Sequence, residues 1–234
     1  MWKAKLLKKI LNLFGKQPTR EAHVIHQVAI FGYADAVEDD ELYKSAVEVS
    51  KRLAEAGYGI VNGGGPGVMR ASTVGAKAGG GKVIGVTLYP PAGQEIENFE
   101  GRDVKNLFDK EIKTNSYVQR TLTLMQAGQI YIIFNGGTGT ISEFGMAWGL
   151  AKLYFGHHKP LILYGDFWKN IIKVFEENMM IRPEEKKVFK FANDPDGVLN
   201  AITEFQEEIG AGKHDHNMKI NCEDGFCQPG DYIV

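Results

Sequence analysis

Cysteine is nearly absent from this chain: Cys222 and Cys227 are the only two among 234 residues, and both fall near the C-terminal end. The body therefore has no disulfide framework, and the scarcity fits a reducing, cytoplasmic setting. A charge excess is missing too. Lys and Arg number 27 against 29 Asp and Glu, for a formal net charge of −2. That balance argues against a nucleic-acid binder, whose domain is usually clearly basic. No apolar run approaches the roughly 18 residues that a membrane-spanning helix needs. With 44% hydrophobic and 24% charged residues, a mainly disordered chain is excluded as well. What is plentiful is glycine. There are 28, which is about 12% of the chain against about 7% in ordinary proteins. There is no collagen period, so the excess needs local explanations.

The two ends differ from the middle. Residues 1–20 contain Lys3, Lys5, Lys8, Lys9, Lys16 and Arg20 and no acid. At 100° per residue, Trp2, Leu6, Ile10, Leu13 and Phe14 share one face of a helix, with lysines opposite. Such a basic amphipathic helix can lie on an anionic membrane surface, or it can pack on its own domain or a partner subunit. Lys8 and Lys9 interrupt the apolar stretch, which is unlike a signal peptide. Residues 1–21 are therefore read as this helix and a linker. Residues 211–234 form a polar tail with His214, His216, Cys222 and Cys227. Four such side chains could hold zinc, but H-x-H and C-x4-C are not a common structural spacing. No metal site is assigned.

Residues 22–210 alternate short apolar runs with helical patterns. The spacing predicts strands at 28–31, 58–61, 82–88, 129–134, 160–164 and 188–191, with a weaker one near 107–112. Helices are expected between them, including one over 115–127 with Tyr117, Leu124 and Met125 as core. Strands apolar on both faces imply a parallel sheet covered by helices on both sides. The expected fold class is α/β, a doubly wound parallel sheet in a single domain. Ligands of such sheets bind outside the carboxyl ends of the strands.

Two glycine clusters, Gly63-Gly-Gly65 and Gly136-Gly-Thr-Gly139, follow strands and precede helices. Consecutive glycines let backbone N–H groups approach an anion, and the helix N-terminus behind them adds a favourable field. Glycines in tight strand-to-helix turns are the plainer alternative. Neither cluster is a dinucleotide or triphosphate fingerprint: a third glycine would be needed where Arg70 or Ser142 stands. Thr140 and Glu143 have the spacing of a helix capping box. A carboxylate beside an anion site, however, asks for a role or a cationic partner. Arg120, on the preceding predicted helix, can be that partner.

Gly63-Gly-Gly-Pro-Gly-Val-Met69 and Asn135-Gly-Gly-Thr-Gly-Thr-Ile-Ser-Glu143 resemble the two glycine motifs of the LOG family. These are cytokinin riboside 5'-monophosphate phosphoribohydrolases, also labelled lysine decarboxylase-like. The resemblance covers roughly residues 26–205. It implies a Rossmann-like, usually dimeric hydrolase that cleaves the N-glycosidic bond of an AMP-like nucleoside monophosphate, giving free base and ribose 5-phosphate. By position it implies Arg120 and Glu143 as the catalytic pair. Gly64, Gly65, Gly67, Met69, Gly136, Gly137, Thr138, Gly139 and Thr140 would hold the phosphate and ribose. It calls for no cofactor. A non-catalytic nucleotide sensor or carrier of the same fold is the alternative. The chain departs from the family where Asn135 replaces a proline and Thr121 replaces a lysine.

Overall fold

The structure is a computed structural model that describes residues 25–89, 101–153, 159–211, 221–223 and 226–228. The basic segment 1–20, with its membrane or partner contact, and the tail histidines His214 and His216 lie outside the described residues. Cys222 and Cys227 fall on β8 (Asn221–Glu223) and β9 (Phe226–Gln228), an antiparallel ribbon in which they are register partners. Among the described residues no cluster of His, Cys, Asp or Glu could hold a metal ion. Nor is any described helix long and apolar enough to cross a membrane.

The main body follows the strand-helix alternation. In order it runs β1 (Gln27–Phe31), α1 (Glu41–Glu55), β2 (Gly59–Asn62), α2 (Val68–Ala78) and β3 (Val83–Leu88). It continues through β4 (Lys110–Thr114), α3 (Tyr117–Ala127), β5 (Ile130–Ile133) and α4 (Thr138–Leu153). It ends with β6 (Leu161–Tyr164), α5 (Phe167–Asn178), β7 (Phe189–Ala192) and α6 (Pro195–Gly210). Seven strands form one parallel sheet in the order β4-β3-β2-β1-β5-β6-β7. This is the doubly wound α/β arrangement that the apolar runs predict.

Every residue of β1, β2, β3, β5 and β6 is buried, which is why these strands read as unbroken apolar runs. The period of two sorts their side chains between two cores. Val28, Ile30, Ile60, Ile130, Ile132 and Phe134 face α1, α2 and α6. Ala29, Phe31, Val61, Ile84, Tyr131 and Ile133 face α3, α4 and α5. Truncating a large member such as Phe134, which is fully buried, to Ala costs about 3–5 kcal/mol in comparable cores.

Several local readings shift. Helix α1 begins at Glu41 with Asp40 at its cap position. Gly57, with φ 93°, lets the chain leave that helix, and Gly80, with φ 75°, turns it after α2. The weak strand expected near 107–112 forms three residues later at its start, at Lys110–Thr114. Tyr117, expected in the core, is 37% exposed: it is the first residue of α3, after the capping Ser116 whose side chain accepts from the Gln119 N–H.

The strand order reverses between β1 and β5. Sequence neighbours of β1 stack on one side of it, and β5 returns to the other. Phe31 and Ile133 are register partners at this seam. Just beyond it the Phe134 N–H donates to the Phe31 carbonyl (2.9 Å), and the Tyr33 N–H to the Asn135 carbonyl (2.9 Å). The two strands then diverge into separate loops, leaving a crevice at their carboxyl ends. That is where ligands bind in open α/β sheets.

Candidate active site

A cavity of about 280 Å³ occupies this crevice. Its floor is the seam itself, Ile30 to Ala34. Its walls bring together Gly63 and Met69 from the first glycine loop and α2, Tyr117 and Arg120 from α3, and Gly137, Thr138, Gly139, Thr140 and Glu143 from the second loop and α4. Of the residues singled out in the sequence, Arg120, Glu143, Met69, Gly137, Thr138, Gly139 and Thr140 therefore meet around one space. Gly64, Gly65, Gly67 and Gly136 stand behind its wall.

Those four owe their lack of a side chain to close packing. A Cβ on Gly64 would overlap the Thr87 methyl, and one on Gly65 the Met69 methyl. Gly67 has φ 60°, and a Cβ there would overlap the Tyr33 and Ala34 carbonyl oxygens. A Cβ on Gly136 would overlap the Thr140 hydroxyl. The first loop is also tied internally. The Gly64 N–H donates to Asn62 Oδ1 (2.9 Å). The Gly64 carbonyl accepts from the Asp103 N–H (3.0 Å), and the Gly65 carbonyl from Asn106 Nδ2 (2.9 Å).

Arg120 is buried at 7% exposure, far from the exposed helical arginine that its sequence position alone would allow. Its Nη2 donates to the Gly63 carbonyl (2.9 Å) and its Nε to the Val86 carbonyl (3.2 Å). Nη2 also rests 3.3 Å from Met69 Sδ. Gly63 is glycine because the guanidinium fills the space its Cβ would need. Arg120 thus staples the ends of β2 and β3 to α3 and delivers a positive charge to the cavity.

Glu143 is 8% exposed and lines the cavity. Among the described residues its carboxyl makes no hydrogen bond or ion pair. Burial pushes its carboxyl up from 4.5 to about 7, and the Arg120 charge only partly offsets the rise. The capping-box alternative fails on geometry. Helix α4 starts at Thr138, and the Ile141 N–H donates to the Gly137 carbonyl (3.0 Å). Gly137 therefore holds the cap position, and Thr140 sits inside the helix, where it cannot cap it. That leaves Glu143 one full turn into α4 with no capping role.

The second loop is open where the first is tied. A Cβ on Gly137 would meet nothing within 4 Å, and one on Gly139 only the Tyr117 hydroxyl at 3.6 Å. The N–H groups of Thr138, Gly139 and Thr140 belong to the first turn of α4, whose donors have no partner within the helix. They sit at the positive end of its dipole, a setting suited to an anion.

Sequence reasoning missed Gly32, Tyr33 and Ala34. They carry no motif, and only the strand order brings β1 beside β5. It also missed Tyr117, whose position in an apolar helical series pointed to the core.

Fold and site together define a Rossmann-like α/β protein in which Arg120 and Glu143, both buried, line one cavity at the topological switch point. A model of the SLOG cluster4 family matches residues 25–188, so the chain belongs to that family. The resemblance to LOG proteins drawn from the two glycine motifs is borne out, with this chain as a divergent member. A cytokinin riboside 5'-monophosphate phosphoribohydrolase of Mycobacterium tuberculosis is 30% identical over 129 residues, 55% of this chain and 64% of that protein. The chain thus matches just under two thirds of that relative's length. An uncharacterized protein of Archaeoglobus fulgidus is 30% identical over 150 residues, covering 64% of this chain and 87% of that one. Among solved structures, a molybdenum cofactor binding protein from Rippkaea orientalis superposes with a TM-score of 0.58 at 21% identity, over 77% of this chain and 97% of that one. At that identity the likeness speaks for the fold alone.

Proposed function

We propose that this protein hydrolyses the N-glycosidic bond of a nucleoside 5'-monophosphate. The observation that carries the proposal is Glu143: a buried carboxyl, without a protein hydrogen bond among the described residues, opening on the switch-point cavity beside Arg120. Leaving such a group buried is costly, and perturbed carboxyls of this kind concentrate at functional sites. The M. tuberculosis relative bears the name of this activity.

In the reaction, a water oxygen bonds to ribose C1' as the C1'–N bond breaks. The bonding pair leaves with the base nitrogen, which takes up a proton from solvent, and the proton that Glu143 gains from the attacking water returns to solvent. Glu143 accepts the water's proton and its charge stabilises the cationic ribose in the transition state, as carboxylates do in glycosidases. A pKa of about 7 suits a general base at neutral pH. Arg120, with two donors spent on the Gly63 and Val86 carbonyls, holds the pocket's shape and limits the rise in the Glu143 pKa. The phosphate sits on Gly137, Thr138, Gly139 and Thr140 at the start of α4. Gly64, Gly65, Gly67 and Gly136 support the pocket from behind, and Met69 backs Arg120. A cavity of about 280 Å³, at the small end for ligand sites, suits one nucleotide rather than a nucleic acid. A homo-oligomeric cytoplasmic protein is part of the same proposal.

The test is incubation of the full chain with AMP and the other nucleoside monophosphates, with free base and ribose 5-phosphate quantified. Equimolar release of both is expected from at least one. Nucleotide binding with no release from any would replace hydrolysis with the sensor or carrier role.

A further inference from the structure

Tyr117 and Arg120 are three residues apart on α3 and therefore share a face. Arg120 is buried on the cavity wall, whereas Tyr117 is 37% exposed and lines the same cavity. Tyr117 is the first residue of its helix. Its hydroxyl lies 2.7 Å from Ser142 Oγ, and Ser142 Oγ donates to the Gly139 carbonyl (2.7 Å). The Tyr117 hydroxyl also lies 3.5 Å from the Gly139 carbonyl, so both hydroxyls converge on it. The contacts among Tyr117, Ser142 and Gly139 tie the ring to the start of α4. Among the described residues, Tyr117 stacks on no other ring. It is an aromatic side chain anchored at its hydroxyl on the wall of a nucleotide-sized cavity. It belongs to neither buried apolar cluster, whose α3 members are Leu124, Met125 and Ala127.

We propose that Tyr117 is the platform on which the base of the nucleoside monophosphate stacks, and that the hydrogen-bonded chain through Ser142 holds it in place. This rests on the nucleotide reading of the site and deepens it. Tyr117 would be the residue that makes the site select a nucleotide over a bare sugar phosphate. A ring already locked at its hydroxyl loses little freedom on binding, and stacking is tolerant of which base is present because every base has a π-face. The site then recognises a monophosphate carrying an aromatic base, with the base at the mouth and the scissile bond deeper, near Glu143.

The test is calorimetric binding of AMP and of ribose 5-phosphate to the full chain and to the variants Tyr117→Ala, Tyr117→Phe and Ser142→Ala. Wild type is expected to bind AMP more tightly than ribose 5-phosphate. Tyr117→Ala should weaken AMP on the order of tenfold or more while leaving ribose 5-phosphate within about twofold. Tyr117→Phe should recover most of the AMP affinity, and Ser142→Ala should show a loss of only a few fold. Thermal midpoints of the variants check that each is folded. Equal losses for both ligands in Tyr117→Ala, or no loss for AMP, would overturn the platform role while leaving the nucleotide site standing. A wild-type protein that binds ribose 5-phosphate but gains nothing from the base would do the same. Failure to bind either ligand would overturn both this proposal and the reading beneath it.

Discussion

The two glycine loops look alike in sequence and differ in structure. Gly63–Gly67 is closed: its N–H and carbonyl groups bond to Asn62, Asp103 and Asn106. Its Cβ positions are taken by Arg120, Thr87, Met69 and the Tyr33–Ala34 backbone. Gly136–Gly139 is open: a Cβ on Gly137 would meet nothing within 4 Å, one on Gly139 only the Tyr117 hydroxyl, and the first turn of α4 lines the cavity. The same residue type thus does two jobs. In the first loop the missing side chains let Arg120 and the backbone of β1 come close. In the second they leave room for a ligand.

Substitutions can break this contrast, and the largest effect is expected at the carboxylate that the open loop presents. Glu143→Gln should lower the base-release rate by on the order of 10³-fold while nucleotide affinity changes by only a few fold. Rate and affinity measured on the same preparation check this. In the closed loop, Gly67→Ala should destabilise the fold by about 3 kcal/mol in urea unfolding, because a Cβ at φ 60° meets two carbonyl oxygens. Gly63→Ala should combine a loss of stability with a loss of turnover, since it evicts the Arg120 guanidinium.

The pH dependence is next in size. The folded state raises the Glu143 pKa to about 7. The stability that goes with its bound proton is complete below its ordinary value and lost as pH rises through about 7. Glu143→Gln stays neutral throughout. It should therefore gain stability over wild type between pH 5 and pH 8, by up to about 3 kcal/mol, readable in thermal midpoints at the two pH values. Turnover should run the other way, falling about tenfold per pH unit below 7 as the base is protonated. In the open loop, Gly137→Ala should shift stability by no more than about 0.5 kcal/mol yet weaken nucleotide binding measurably by calorimetry.

Much of the fold was legible because buried parallel strands are unbroken apolar runs: Val28–Phe31 and Ile130–Ile133 announce themselves. That Arg120 and Glu143 line one cavity was also legible, from motif order. The difference between the loops was not, because it depends on Asp103 and Asn106, which reach the first loop only through tertiary packing. Thr140 and Glu143 have capping-box spacing, and only the actual start of α4 at Thr138 removes that option. Tyr117 fell into a helical apolar series with Leu124 and Met125. Its place at the helix start, on the cavity wall, follows from where Ser116 caps α3.

Backbone amide NMR during titration with AMP compares the two loops in one experiment. The account predicts large shifts at Gly137, Thr138, Gly139 and Thr140, with Gly64, bonded to Asn62, nearly unmoved. Large shifts at Gly64 and Gly65 with a silent second loop would contradict it.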